Sequence, residues 1–218
     1  MRILYLSDFN CPYSYIGLKR ITDVAEDLGL DAEWEMRAFE LEIDADNCRA
    51  VDRLAVRNGL SMEDAIREAE EIERIARDEG LNIIYREMTV KSSMDAHRLV
   101  RHVQDRCPEA SLELVLKIFE ANFIKGQDIS DHDVLTGIAA SCGLDGEEMA
   151  EFLKRDSLKI EIFLDMDEAV SNGITTIPYY FLEHDNERLI VPGVFERESF
   201  RVAFDDLLSG RIRDKTFI

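Results

Sequence analysis

The spacing of hydrophobic and polar positions changes three times along the chain. Residues 2–7 place the apolar run ILYLS after Arg2, which predicts a short buried strand. Ile16, Leu18, Ile21, Val24, Ala25 and Leu28 then recur at helical spacing until Gly29, where the helix is expected to stop. Ala32, Trp34, Met36 and Ala38 alternate with Glu33, Glu35 and Arg37, the period of a second strand. A strand, a helix and a strand in that order need a crossover, so the two strands are predicted to be parallel and connected right-handedly.

From about residue 43 to about residue 170 the pattern is helical. Ser61 with Asp64 opens a charged helix that Gly80 closes, Ser92 or Ser93 precedes MDAHRLVRHVQ, and Pro108 leads into ASLELVLKIFEANF. Ser130 before DHDVLTGIAASCG, Asp145 before GEEMAEFLKR and the run LKIEIFLDMDEAVSNG predict three more helices, with NIIYREMTV read as an extended connector. The last segment returns to strands: YYFLE, the polar turn HDNE and RLIVPG predict a hairpin, followed by an amphipathic helix in FERESFRVAFDDLLSG. Strands at both ends and helices between them imply one sheet interrupted by a helical insertion.

Composition narrows the classes of partner. Lys and Arg number 26 against 46 Asp and Glu, a net charge of -20, which argues against binding nucleic acid or an anionic membrane surface. The first residues lack the core and cleavage pattern of a signal peptide, and no apolar stretch reaches the length of a membrane span. The chain is therefore expected to be soluble and cytoplasmic. The four cysteines, Cys11, Cys48, Cys107 and Cys142, form no CxxC pair and no metal-ligand spacing with histidine, so neither a disulfide scaffold nor a metal site is expected.

Cys11 is the exception among them, because DFNCPYSYIG puts it where the first strand gives way to the first helix. A sulfur there faces unpaired backbone N–H groups and the positive end of the helix dipole, so the thiolate is expected to be favoured over the thiol. Pro12 suits the first helical turn. Pro178, in ITTIPYYF, stands immediately before a predicted strand, where a cis Ile177–Pro178 bond would hold a sharp turn.

DFNCPYSYIG, SSMDAHRLV at 92–100, IFEANFIKGQDISDHDVL at 118–135 and GITTIPYYF at 173–181 together resemble the DsbA-like thioredoxin superfamily, in its FrnE-type oxidoreductase branch, over nearly the whole chain. The resemblance implies an α/β thioredoxin fold with a mixed central sheet, residues 1–42 and 165–218 forming the thioredoxin-like domain and 43–164 an inserted helical domain. It also implies a thiol-dependent oxidoreductase with Cys11 as nucleophile and Pro178 facing it. Pro12, Tyr13, Ile177, Pro178 and His97 are the implied substrate-binding residues. No tightly bound cofactor is implied, a homodimer is compatible with it, and the partner is a thiol or disulfide, either protein or glutathione mixed disulfide.

The sequence departs from this branch at Ser14, where a second cysteine is usual. Ser14 cannot resolve a mixed disulfide, though its hydroxyl is able to donate to a Cys11 thiolate. Three readings stay open. Glutathione or another small thiol resolves the adduct on Cys11; or the site binds a glutathione thiolate, as in the related 2-hydroxychromene-2-carboxylate isomerases and kappa-class transferases, which generally carry Ser in place of Cys11; or Ser14 replaces a cysteine to trap partners. A non-enzymatic binding module that uses the acidic helices is a further alternative. From the residues themselves, His97, Asp95, Arg98 and Asn122 read first as packing or capping residues of their own helices, and Tyr15, Phe9 and Tyr179 as packing aromatics.

Overall fold

The computed structural model describes residues 1–41, 43 and 47–211; the domain boundary expected after residue 42 and the tail 212–218 lie at or beyond the limits of these described residues. Two strands begin the chain, β1 (Arg2–Ser7) and β2 (Glu33–Ala38), joined by helix α1 (Pro12–Asp27). They pair in parallel with Arg2 opposite Glu33 and Ser7 opposite Ala38. The hairpin β3 (Tyr179–His184) and β4 (Glu187–Pro192) adds antiparallel to β1, giving the order β2-β1-β3-β4. Asp185 and Asn186 both take positive φ in its two-residue turn, which suits the twist of the flanking strands.

The pleat divides the sheet into two faces. Ile3 and Tyr5 of β1, Met36 of β2, Tyr180 and Leu182 of β3 and Leu189 and Val191 of β4 are buried on one face, under α1 and the last helix, α9 (Arg197–Leu208). Leu4 and Leu6 point the other way with Phe181 and Tyr179, where Leu6 packs with Ala169 and Ile174. The mixed sheet with helices on both faces is the architecture expected of the chain.

Seven helices lie between β2 and β3 among the described residues: α2 (Ala50–Asn58), α3 (Met62–Asp78), α4 (Met94–Gln104), α5 (Pro108–Phe123), α6 (His132–Ser141), α7 (Gly146–Leu153) and α8 (Lys159–Ser171). Helices α4, α5 and α8 pack on β2, and α3 and α5 also touch α1. Their starts follow local chemistry. The Ser61 side chain accepts from the Asp64 N–H, and Asp145 accepts from the N–H groups of Glu147 and Glu148.

Three details differ from the sequence expectation. Asp131, not Ser130, caps α6; Ser130 instead bonds Asp128, closing a tighter turn just ahead of the helix. Helix α2 has no polar cap to announce it, since Arg49 at its start makes no side-chain cap bond. The stretch 82–90 is a connector as expected but not extended throughout: residues 85–87 form a turn, and Thr89 makes an isolated bridge with Arg49.

Candidate functional site

Cys11 occupies the N-cap of α1, with Pro12 at the first helical position. Its N–H donates to the Asp8 carbonyl at 3.0 Å, and its own carbonyl accepts from the Ser14 N–H at 3.1 Å, so the sulfur stands at the helix start. The residue is 6% exposed. That burial dominates the electrostatics. It pushes the thiol up, aided by the Asp8 charge, while the Ser14 hydroxyl and N–H and the Arg57 charge pull down without offsetting it.

The structure thus corrects the thiolate expectation: Cys11 favours the thiol more than an ordinary cysteine does. The helix start is present as predicted, but the help it gives through the Ser14 N–H and hydroxyl is outweighed by desolvation, a quantity that depends on what packs around the loop. Ser14 is buried beside the sulfur and its Oγ makes no well-formed hydrogen bond of its own. Its lowering effect on Cys11 is therefore that of a donor oriented toward charge on sulfur, not of a bond already made to the neutral thiol.

Ser14 and Gly17 lie three apart on one buried face of α1, and Cys11 is buried at the N-cap that precedes it. That face meets the start of β3. A Cβ placed on Gly17 would lie 2.5 Å from the Tyr180 hydroxyl oxygen and 3.2 Å from Pro178 Cγ. The Ile177–Pro178 peptide bond is cis, and the Pro178 carbonyl accepts from the Gly193 N–H at 2.8 Å. Pro178 is buried, whereas Ile177 and Tyr13 are half-buried. Tyr13 stands toward α3: burial first, then the charges of Glu68, Cys11 and Glu71, raise its phenol.

The loop beneath the sulfur is fastened from several elements at once. Asp8 is fully buried: its Oδ1 accepts from the Asn10 N–H at 3.2 Å and the Ser93 hydroxyl at 2.7 Å, and its Oδ2 from the Leu41 N–H at 2.7 Å. His97 Nε2 lies 3.4 Å from Oδ1. Burial alone would raise the Asp8 carboxyl, but His97, the Leu41 N–H and Ser93 outweigh it and hold it below the usual carboxylate range. Glu40, next to this group, is raised by burial, with the Asp8 charge adding to it, and its Oε1 accepts from the Ser93 N–H at 3.2 Å.

Outside this carboxylate group, Asn10 Nδ2 donates to the Lys91 carbonyl and Asn122 Nδ2 to the Phe9 carbonyl, both at 2.8 Å. Phe9 packs on the rings of His97 and Phe119, and Tyr15 stacks on Phe119 at 5.1 Å. The resemblance implies a substrate-binding role for His97, while the sequence itself reads it as a packing residue of its own helix. The structure has it 3% exposed and turned to Asp8, a support for the loop from below.

Asp8, Glu40, Ser93, Gly17 and Tyr180 were not singled out by sequence. Asp8 lies within the quoted motif, and a glycine inside an amphipathic helix is a signal of close packing; Glu40 carries no local sign, and Ser93 only that of a helix cap. Cys48 precedes α2, Cys107 caps the start of α5 and Cys142 the end of α6, all half-buried, and no disulfide joins the cysteines among the described residues. No helix among the described residues is long and apolar enough to cross a membrane.

A βαβ unit and a β-hairpin in one mixed sheet, a cysteine at the first helix start and a prolyl turn against that helix define a thioredoxin fold with a single-thiol motif. The chain belongs to the DSBA-like thioredoxin domain family, whose profile matches residues 2–205. It is similar in structure to a probable DsbA oxidoreductase from Streptomyces coelicolor, at 26% identity and a TM-score of 0.83 over 100% of this chain and 94% of that one. The cytosolic disulfide reductase DsbM from Pseudomonas aeruginosa with GSH gives 16% identity and a TM-score of 0.65, covering 96% and 100%. A 2-hydroxychromene-2-carboxylate isomerase gives 16% and 0.68, covering 97% and 96%. These last two likenesses are of fold alone. No functionally curated protein matches at the sequence level.

Proposed function

We propose that this protein exchanges thiols and disulfides through Cys11 alone, with an external thiol such as glutathione completing each cycle. Family membership supplies the reaction class, and the observation that carries the finer reading is the buried Cys11–Ser14 pair at the start of α1. Cys11 loses its proton and attacks one sulfur of a disulfide; a mixed disulfide forms and the other sulfur leaves as a thiolate that takes up a proton. Ser14 has no sulfur with which to displace the adduct. A second thiolate from solution attacks the substrate-derived sulfur of the adduct, returning the Cys11 thiolate and forming a new disulfide between the two external sulfurs; one external thiol is taken up and one released, so the number of disulfides is conserved.

In this reading Tyr13 and Ile177 border the groove that the substrate disulfide enters, and Pro12 and Pro178 shape its floor. Glutathione is a co-substrate, no cofactor is held tightly, and the working compartment is the cytoplasm. Treatment with oxidised glutathione followed by intact-mass analysis and peptide mapping tests the proposal. A single glutathione adduct on Cys11, removed by added thiol, is the expected result. An internal disulfide between Cys11 and another cysteine would overturn the external-resolution route.

One observation favours a second reading, glutathione-dependent isomerisation or transfer: a buried sulfur with a raised pKa beside an unbonded hydroxyl suits a pocket that receives a thiolate from its ligand. Replacing Cys11 by Ser separates the two. Thiol–disulfide exchange is abolished in the first reading, and turnover of an isomerase substrate persists in the second.

A further inference from the structure

Helix α8 has apolar residues on two opposite sides. Ile162, Asp165 and Ala169 face the rest of the molecule and are buried, with Asp165 neutralised by Arg37 at 2.6 Å and Arg101 at 3.2 Å. The outer side carries Ile160, Phe163, Leu164 and Val170, which are between 47% and 72% exposed. At about 100° per residue these four fall within about a third of the helix circumference. Single exposed apolar side chains are ordinary, but four grouped on one helical face mark an interaction surface. Asp167 sits in the middle of this stripe and Glu161 and Glu168 flank it; all three are exposed, and none is ion-paired among the described residues. Lys159, the one basic residue of the helix, is already paired with Asp156 at 2.6 Å.

Beside the flank that bears Glu168, the surface drops into a groove of about 440 Å³. Leu4, Phe181 and Ile190 of the sheet line it, and Glu168 and Asn172 stand on its α8 side. Arg188, on the opposite side, is taken up by Glu183 at 2.5 Å. Across its width the surface is therefore apolar, acidic and apolar again. We propose that it docks a basic amphipathic segment of a partner protein, whose apolar residues cover the α8 stripe and enter the groove while its lysines or arginines meet Asp167, Glu168 and Glu161. The inference goes beyond the thiol chemistry and does not rest on it. Charge selects the occupant. A second copy packed here through its own α8 would set three carboxylates against three, between chains that each carry a net charge of -20. An acidic or wholly apolar segment would cover the carboxylates without giving them a partner, which is destabilising.

The probe is a fluorescently labelled, cysteine-free peptide of leucine and lysine patterned as an amphipathic helix, its binding to the full chain read by fluorescence anisotropy. Saturable binding is expected, weakened about tenfold or more in the double variant Phe163→Ser, Leu164→Ser, which takes two apolar side chains out of the contact. Asp167→Asn with Glu168→Gln should weaken it several-fold. Glu198→Gln with Asp205→Asn removes the same charge from exposed positions of α9, on the other face of the sheet, and should change affinity by less than about twofold. Every substituted side chain is exposed, so the fold is kept. Equal losses in the α8 and α9 carboxylate variants would overturn the proposal, since bulk charge alone would then account for binding. Unchanged affinity in the Phe163→Ser, Leu164→Ser variant would overturn it as well. So would sedimentation of the wild type as a dimer that Leu164→Ser dissociates, which would make a second copy the occupant. The peptide carries no sulfur, so the result stands apart from the glutathione experiment: absence of an adduct there refutes the proposed function without deciding what α8 binds.

Discussion

Gly17→Ala is a substitution whose sign the structure fixes against the local rule. In an exposed helix interior, replacing Gly by Ala stabilises by about 0.5–1 kcal/mol through backbone entropy. At Gly17 the new methyl would stand 2.5 Å from the Tyr180 oxygen and 3.2 Å from Pro178 Cγ. The oxygen ends a ring wedged between Tyr5 and Phe200, so it cannot swing aside as a long flexible side chain would. Overpacking of this kind costs about 1–3 kcal/mol, which leaves a net loss of roughly 0.5–2 kcal/mol after the helical gain.

Removing the oxygen removes most of the clash. The next Tyr180 atom, Cζ, is 3.6 Å from the same point, an ordinary contact, and only the Pro178 approach remains tight. In a Tyr180→Phe background Gly17→Ala is therefore expected to be neutral or stabilising, a coupling of about 1–3 kcal/mol between the two sites. Urea unfolding of the four proteins, compared at unchanged slope, closes the cycle. A stabilised Gly17→Ala single variant, or additive effects, would refute the reasoning.

Other consequences are open to measurement. Because burial raises the Cys11 pKa, its alkylation should inflect above the free-cysteine value of about 8.5, and further up in Ser14→Ala; an inflection below that value would contradict the geometry. Asp8, held below its ordinary range, contributes stability that is present above its unfolded pKa of about 3.9 and lost as pH falls through its lower folded value. Asp8→Asn should cost about 1–3 kcal/mol at pH 7 through its hydrogen bonds and flatten the acid limb of a stability–pH curve measured by thermal unfolding. Glu40, shifted the other way, contributes stability at low pH that fades as pH rises through its folded pKa, so Glu40→Gln should flatten the curve on that side. Asn122→Ala leaves the Phe9 carbonyl without its donor and should lower stability by about 1–3 kcal/mol in a denaturant titration.

What the sequence made legible was whatever periodicity and capping encode within a few residues. The alternation at Trp34, Met36 and Ala38, the Ser61 and Asp145 caps and the HDNE turn each carry their structure locally. The cysteine at a helix start was equally visible, and so was its family. The state of that cysteine was not, because a dipole is a local property and desolvation a tertiary one. Ser93 makes the same point. Its position before α4 reads as a cap, but its hydroxyl donates to Asp8, 85 residues away, and Ser92 supplies the bond to the Met94 N–H instead. Tyr180 and Gly17 are individually unremarkable, and only their meeting across the helix–strand junction gives either a role.

The bonds from Asn10 to Lys91 and from Asn122 to Phe9 join positions 81 and 113 residues apart. A ribosome must therefore reach residue 122 before the loop around Cys11 gains both anchors. Transplanting the ten-residue motif alone onto another scaffold would carry the sulfur but leave its setting behind; the portable unit includes the middle helices.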